Sequence, residues 1–405
     1  MIDFLQTALG YIIPFLLVLT VVVTIHELGH YWAARACGVA IDQFSIGFGR
    51  RIFGWRDRQG VEWRVGWIPL GGYVKFSGDE NAASVPDHDN LEAMRQRLEA
   101  EQGPGAADRY FHFKPVWQRA FVTAAGPLAN FVLAIVLFAV LLMSVGETVI
   151  PARVAAVQPD SPAARAGFAV DDIVVQANGQ DIDNFFDLQQ IIAVRSNAPT
   201  SFVVDRGGQL VSLTATPERR LVSDRMGGEQ KIGVLGIASP AQVGERTVRR
   251  YGPIEAVAGG VERTWRVLST TVYYLGRVVT GRESADQLGG PLRIAQASGQ
   301  VAQSGAQGAP DAGSMLLGSA VALLGLTAVL SVGIGFMNLL PVPILDGGHL
   351  VFYAYEAVAR RPLAAKVQAA GYRVGLALLL GLMLFATWND LQQLRVFKFL
   401  GGLIS

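Results

Sequence analysis

A chain of 405 residues that is 51% hydrophobic but only 17% charged is greasier than an average soluble domain, about a quarter of which is charged. Its formal net charge of +1, with no basic stripe and no interleaved aromatics, leaves nothing for nucleic acid to bind. The single cysteine, Cys37, excludes an internal disulfide framework and any metal site built from several cysteines.

A transmembrane helix needs about 20 mostly apolar residues, and four stretches qualify. The first, residues 5–36, has no charge between Asp3 and His26. It lacks the basic start and small-residue cleavage site of a signal peptide. In the following loop, residues 37–115, the segment EWRVGWIPLGGYVKFSG (62–78) alternates and carries a Pro-Leu-Gly-Gly break, which reads as a hairpin. It is too apolar for a solvated loop and is placed against or into the membrane. Residues 79–109 are polar, charged and expected to be mobile, and His88 and His112 read as surface or interfacial.

The second span covers residues 116–145. Residues 146–217 read as a small β-rich domain with a helix at 186–194, punctuated by Asn178-Gly179 and Gly207-Gly208. Residues 218–245 read as a polar linker with one short strand at 231–237. Residues 246–313 read as helical and then loop-like through the Gly/Ala/Gln-rich ASGQVAQSGAQGAPDAG. The third span, 314–346, ends in NLLPVPILDGG, where Pro341 and Pro343 break the helix and expose backbone at membrane depth. A loop, 347–373, leads to the fourth and shortest span, 374–388, and a tail to 405. The expected fold is therefore a polytopic α-helical membrane protein of about four transmembrane helices, with a membrane-associated β-hairpin and an inserted extracytoplasmic domain. Residues 1–24 hold no Lys or Arg, whereas Arg35, Arg50 and Arg51 follow the first span. Arg360, Arg361, Lys366 and Arg373 precede the fourth. Positive residues mark the cytoplasmic side, so the N-terminus and the inserted domain are expected outside and the 37–115 and 347–373 loops inside.

Ionisable groups within a membrane span are costly and usually functional, which makes the HELGH stretch the centre of the reading. His26 and His30, four apart on a helix, share a face and have the spacing to grip one zinc ion, with Glu27 as general base. A catalytic zinc takes three protein ligands and keeps one position for water. Asp346 is the third ligand expected from a facing membrane segment; His349, three residues on, is its rival. Cys37 is two turns from His30 and reads as a small buried hydrophobe.

HELGH in the first span together with NLLPVPILDGG in a later one resembles the site-2 protease family, the intramembrane zinc metalloproteases. SIGFGR (45–50), IPLGGYVKFSGDE (68–80), AAGPLANF (124–131) and LGGPLRIAQASGQ (288–300) extend the resemblance over nearly the whole chain, toward the RseP-type regulator of sigma-E proteases. PDSPAARAGFAVDDIVVQANGQDI (159–182) resembles a PDZ domain. It occurs once, as in a single-PDZ subgroup, where better-known members carry two in tandem.

The resemblance implies that His26, His30 and Asp346 bind Zn2+, that Glu27 is the catalytic base, and that Asn338 holds the substrate backbone. Gly71, Gly72, Tyr73 and Val74 of the hairpin would receive the substrate as an added strand. Gly126, Pro127 and Asn130 match a GPxxN element and read as structural and gating. The implied partners are single-span membrane proteins of the anti-sigma-factor type, remnant signal peptides, the lipid bilayer, and an upstream site-1-type protease in the same pathway. The implied setting is the bacterial inner membrane, with the active site near its cytoplasmic side. The competing reading is a catalytically silent zinc-containing scaffold that recruits partners through its PDZ domain; the intact Glu27 speaks against it. A zinc transporter would need several intramembrane acidic or His sites along a path, and the sequence has one cluster.

Overall fold

The computed structural model describes residues 2–78, 91–223, 229–238, 247–283 and 289–393. The expectations for residues 79–90, for His88, for parts of the 218–245 linker and for the tail after 393 lie outside the described residues. In chain order the elements are α1 (Ile2–Ala36), β1 (Ile41–Arg56), β2 (Glu62–Phe76), α2 (Leu91–Gln102), α3 (Val116–Ser144), β3 (Glu147–Val149), β4 (Ala156–Val157), α4 (Pro162–Ala166), β5 (Ile173–Ala177), β6 (Gln180–Asp181), α5 (Phe185–Ala193), β7 (Thr200–Arg206), β8 (Gln209–Ala215), β9 (Glu218–Ser223), β10 (Glu229–Val234), β11 (Ile237–Ala238), β12 (Thr247–Arg249), α6 (Pro253–Val279), α7 (Pro291–Ala306), α8 (Ala312–Asn338), α9 (Asp346–Ala359) and α10 (Ala365–Gln393). They divide into two units. One comprises residues up to 138 with 260–264 and 291–385; the other comprises 139–259, 265–290 and the residues after 385.

Four helices are long and apolar enough to cross a membrane: Leu9–Ala36, Val116–Ser144, Ala312–Asn338 and Ala365–Leu391. The run VLTVVVTI in α1 is β-branched and would favour strand in water. In lipid every backbone polar group must be bonded within the segment, so it is helix. Leu9, Ile13, Leu17 and Val21 are exposed on α1, while Val18, Val22 and His26 are buried. The buried residues recur every four positions and form one inward stripe. The fourth helix is longer than its apolar stretch suggests, because it starts nine residues earlier, at Ala365.

The third span ends sooner than the sequence suggests, at Asn338. Pro341 and Pro343 carry a short non-helical turn, and a new helix, α9, starts at Asp346 where a loop was expected. The glycines after Asp346 permit this. A Cβ on Gly347 would lie 2.2 Å from the Leu339 carbonyl oxygen, and one on Gly348 2.2 Å from that of Val342. The Gly/Ala/Gln-rich stretch expected to be a loop is instead most of α7. Its glycines let it pack without side chains: Gly299 lies against Tyr11 of α1, and Gly305 and Gly318 of α8 meet backbone to backbone.

The 62–78 segment is not a hairpin closed on itself. It is a strand, β2, whose two halves embrace β1. Phe44 lies opposite both Trp63 and Val74, Ser45 opposite both Arg64 and Tyr73, and Ile46 opposite both Val65 and Gly72. The Pro-Leu-Gly-Gly break is the bend that brings the second half round. Residues 72–76 pair with β1 on one side only; among the described residues no other strand pairs with them. Thr20 of α1 donates to the Pro69 carbonyl (3.3 Å), which fastens the bend to the first span. Trp67, Ile68 and Leu70 around it are exposed.

Residues 91–102, expected to be mobile, form α2. Leu98 is buried with Ala107 and Tyr110, and this apolar contact orders a segment whose composition is otherwise polar.

The second unit is built on the antiparallel sheet β6-β5-β7-β8. Two tight turns close it, Asn178-Gly179 and Gly207-Gly208, with both residues of each at positive φ, as two-residue hairpins require. Phe202, Leu188, Val174, Val154 and Val204 are fully buried, each worth about 1.5–3 kcal/mol relative to exposure. Leu235 belongs to the same core, and β11 pairs with β4. The domain therefore runs past the expected boundary at 217, because residues 229–238 supply strands and core rather than a linker. At the end of α6, buried Glu283 takes Arg277 and Arg219.

Asp172, buried just before β5, receives Arg206 Nε and a second guanidinium nitrogen at 2.7 Å each, and the Ala169 amide at 2.8 Å. The Arg206 guanidinium, aided by that amide, holds its carboxyl below the usual carboxylate range. A depressed folded-state pKa gives stability that is complete above the unfolded value near 3.9 and is lost as pH falls through the folded one. The hydrogen-exchange protection of β5 and β7, relative to the intrinsic rate at each pH, should fall below about pH 4, and Asp172→Ala should lose about 2–3 kcal/mol at neutral pH and flatten that dependence.

Candidate metal centre

The stripe that buries Val18 and Val22 brings His26 next, and His30 follows one turn later. Asp346 comes from the first turn of α9, where a helix N-terminus favours negative charge. The three side chains converge. His26 Nε2 and His30 Nε2 are 3.2 Å apart; Asp346 Oδ2 is 3.2 Å from the first and 3.6 Å from the second. In a tetrahedral set with metal–ligand distances of about 2.0–2.2 Å, neighbouring donors lie about 3.4 Å apart. The observed triangle has these dimensions. It is also a cluster of lone pairs: Asp346 Oδ2 is buried without a hydrogen-bond partner, a costly state unless a cation compensates it. The donor set therefore fits zinc. His349 is outside it; its ring sits among Phe352, Tyr353 and Tyr372, with Nδ1 3.4 Å from the Tyr372 hydroxyl. It is half-buried there, carried by α9 against Tyr372 of α10.

One face of α3 backs the two imidazoles. His30 Nδ1 donates to the Val122 carbonyl at 2.9 Å, and a carbonyl can only accept, so Nε2 of neutral His30 is a lone pair. One turn on, Gly126 leaves room for the ring: a Cβ there would be 2.3 Å from His30 Nε2. A turn further, the Asn130 amide is 3.2 Å from His26 Nδ1. Pro127 lies in this helix and, lacking an N–H, leaves the Thr123 carbonyl without its usual intrahelical donor.

The donors open on a cavity of about 410 Å³. Glu27 lies in its wall and accepts the Val74 backbone N–H, and a Cβ on Gly72 would come within 3.3 Å of Glu27 Cγ. Gly72, Tyr73, Val74 and Asn338 all line the cavity, so these four expected substrate contacts surround the metal donors. Gly71 does not; it faces the Phe48 ring, at φ 108°. Phe48, Phe111, Thr123 and Tyr353 also line it, as does His349. Phe48 belongs to the SIGFGR motif; Phe111, Thr123 and Tyr353 carry no sequence signal, because each is an ordinary residue brought in by a distant element. His112 is half-buried beside Phe111, and half-buried Cys37 packs on the core under the sheet.

Residues 14–382 match the profile described as Peptidase family M50. The chain belongs to peptidase family M50, the site-2 protease family. The metalloprotease MmpA of Caulobacter vibrioides is 51% identical over 394 residues, covering 97% of this chain and 98% of that protein. The putative zinc metalloprotease Atu1380 of Agrobacterium fabrum is 44% identical over 385 residues, covering 95% and 96%. The regulator of sigma-E protease RseP of Salmonella typhimurium is 28% identical over 475 positions, covering 94% and 98%. This M50 peptidase is a zinc metalloprotease with four helices that can span a membrane. Its match to RseP is longer than its own 405 residues, so that relative has at least 70 residues without a counterpart here.

Proposed function

We propose that this M50 peptidase cuts single-span membrane substrates within or beside the bilayer, with His26, His30 and Asp346 holding the zinc and Glu27 as the general base. The observation that carries the reading is the position of Glu27 between the donor triangle and a strand edge that no other described strand pairs with, in one cavity among apolar helices. When bound, zinc acidifies water toward neutral pH and polarises the scissile carbonyl. Glu27 takes a proton from the attacking water and passes it to the leaving amine nitrogen. A helical substrate hides its peptide groups; pairing with the edge at Gly72–Val74 extends and presents them. Asn338 adds an amide to hold that backbone, and Gly71 shapes the bend that delivers the edge.

Several features support an arrangement with the N-terminus outside and the metal centre near the cytoplasmic side of the inner membrane. Lys and Arg gather after the first span and before the fourth. Trp32 and Trp117 are exposed near the ends of α1 and α3 that would face inward, where interfacial aromatics belong. Asp390, at the other end of α10, accepts the Gly290 amide at 2.8 Å, consistent with both lying outside. The motif PDSPAARAGF and the sheet it adjoins support a PDZ domain in the second unit, outside the membrane. One such domain, where RseP of Salmonella has extra residues, excludes bulky extracytoplasmic parts of a substrate with a simpler sieve. The substrates we propose are anti-sigma factors already trimmed by a site-1-type protease, or remnant signal peptides, cut in regulated intramembrane proteolysis during the envelope stress response.

The test is reconstitution in proteoliposomes with a trimmed single-span reporter. Cleavage is expected to stop on chelation and to return with stoichiometric zinc. A zinc-loaded protein that cuts none of several trimmed reporters would instead be the scaffold.

A further inference from the structure

Asn130 is fully buried in α3, its amide faces His26 Nδ1 at 3.2 Å, and its Oδ1 atom has no hydrogen-bond partner. The residue is pinned from behind. Ser331 of α8 donates to its carbonyl at 2.8 Å, and a Cβ on Gly335 would lie 3.1 Å from Asn130 Cβ. Packing alone does not ask for an amide at such a place, where leucine has nearly the same shape.

Imidazole chemistry does ask for one. A ring that binds metal through Nε2 must carry its proton on Nδ1, and a neighbouring acceptor usually fixes that choice. The Val122 carbonyl does this for His30. For His26 the group at Nδ1 is the Asn130 amide. Its oxygen and nitrogen exchange places when the group turns by half a revolution, with little change in shape. Nitrogen toward the ring makes Nδ1 an acceptor and puts the proton on Nε2, where it blocks a metal. Oxygen toward the ring takes the Nδ1–H and frees Nε2 as a lone pair.

We infer that Asn130 is a positioning residue that presents its amide oxygen to His26 Nδ1–H and so selects the ring form that binds the metal. The inference rests on the zinc reading of His26, His30 and Asp346. Val122, Gly126 and Asn130 then act from one stripe of α3: a carbonyl for one ring, space for that ring, and an acceptor for the other.

The experiment measures zinc affinity of the full chain in detergent by competition with a chromogenic chelator, for wild type, Asn130→Leu and Asn130→Asp. Asn130→Leu should bind zinc about 10–100-fold more weakly, with metal-free unfolding like wild type. Asn130→Asp, with an oxygen on both arms, should bind at least as tightly as wild type. Wild-type affinity in Asn130→Leu, or a tenfold loss in Asn130→Asp, overturns the proposal. Should the leucine variant not fold, Asn130→Asp carries the test alone. A wild-type chain that binds no zinc overturns the metal reading itself, and is seen before any Asn130 variant is compared.

Discussion

Glu27→Gln is expected to slow cleavage by about 10²–10⁴-fold while leaving the zinc content unchanged. Glutamine keeps the shape of the side chain, the contact of Cγ with Gly72 and an oxygen to accept the Val74 amide. What it cannot do is take a proton from water. None of the three donor atoms belongs to Glu27, so the metal affinity has no reason to move. The measurement is a paired one: reporter cleavage in proteoliposomes and zinc content of the same preparation. A variant that cuts like wild type would remove Glu27 from the chemistry; one that loses zinc would make it a metal-site residue.

Gly126→Ala should lose cleavage by another route, through loss of zinc. The added methyl would sit 2.3 Å from His30 Nε2, 2.5 Å from Cε1 and 2.9 Å from Cδ2. Ordinary contact requires a retreat of about 1 Å, while metal–ligand distances tolerate about 0.2 Å. The ring cannot slide away cheaply, because Nδ1 is bonded to Val122 on the same helix. Nor can the helices part easily, because Gly29 of α1 already meets α3 backbone at this level, a Cβ there lying 2.3 Å from the Ala125 oxygen. An affinity loss of 100-fold or more is expected from the misplaced ligand, read with the same chelator competition. A fully zinc-loaded Gly126→Ala would mean the seam between α1 and α3 is softer than its geometry implies.

These residues differ in how readable they were. HELGH and the spans are legible because lipid imposes long apolar runs, against which an ionisable residue stands out. Asp346 is legible for the same reason, as a lone acid at the end of an apolar stretch. The role of Gly126 is not: that a glycine is small can be read, but that the space it leaves belongs to His30 depends on how α1 crosses α3. β1 was missed because IDQFSIGFGRRIFGWR mixes glycines and arginines into its strand pattern. Its glycines are there for a crossing, since a Cβ on Gly47 would lie 2.6 Å from the Ile68 oxygen. α7 was missed because its composition suits a loop, and only its neighbours make it a helix. The wall residues Phe111 and Tyr353 have no local signature, because a cavity is a property of tertiary packing.

The donor triangle joins residues far apart in the sequence. His26 and His30 are made first, within α1, whereas Asp346 follows His30 by 316 positions, in α9. Chains are synthesised and begin to fold from the N-terminus, so the first span enters the bilayer with two histidines and a glutamate but no third ligand. The ribosome has to reach Asp346 before all three donors can exist. On the proposed reading, the hydrolase is thereby inert while its first span is threaded past the insertion machinery, and can become competent only once Asp346 has been made.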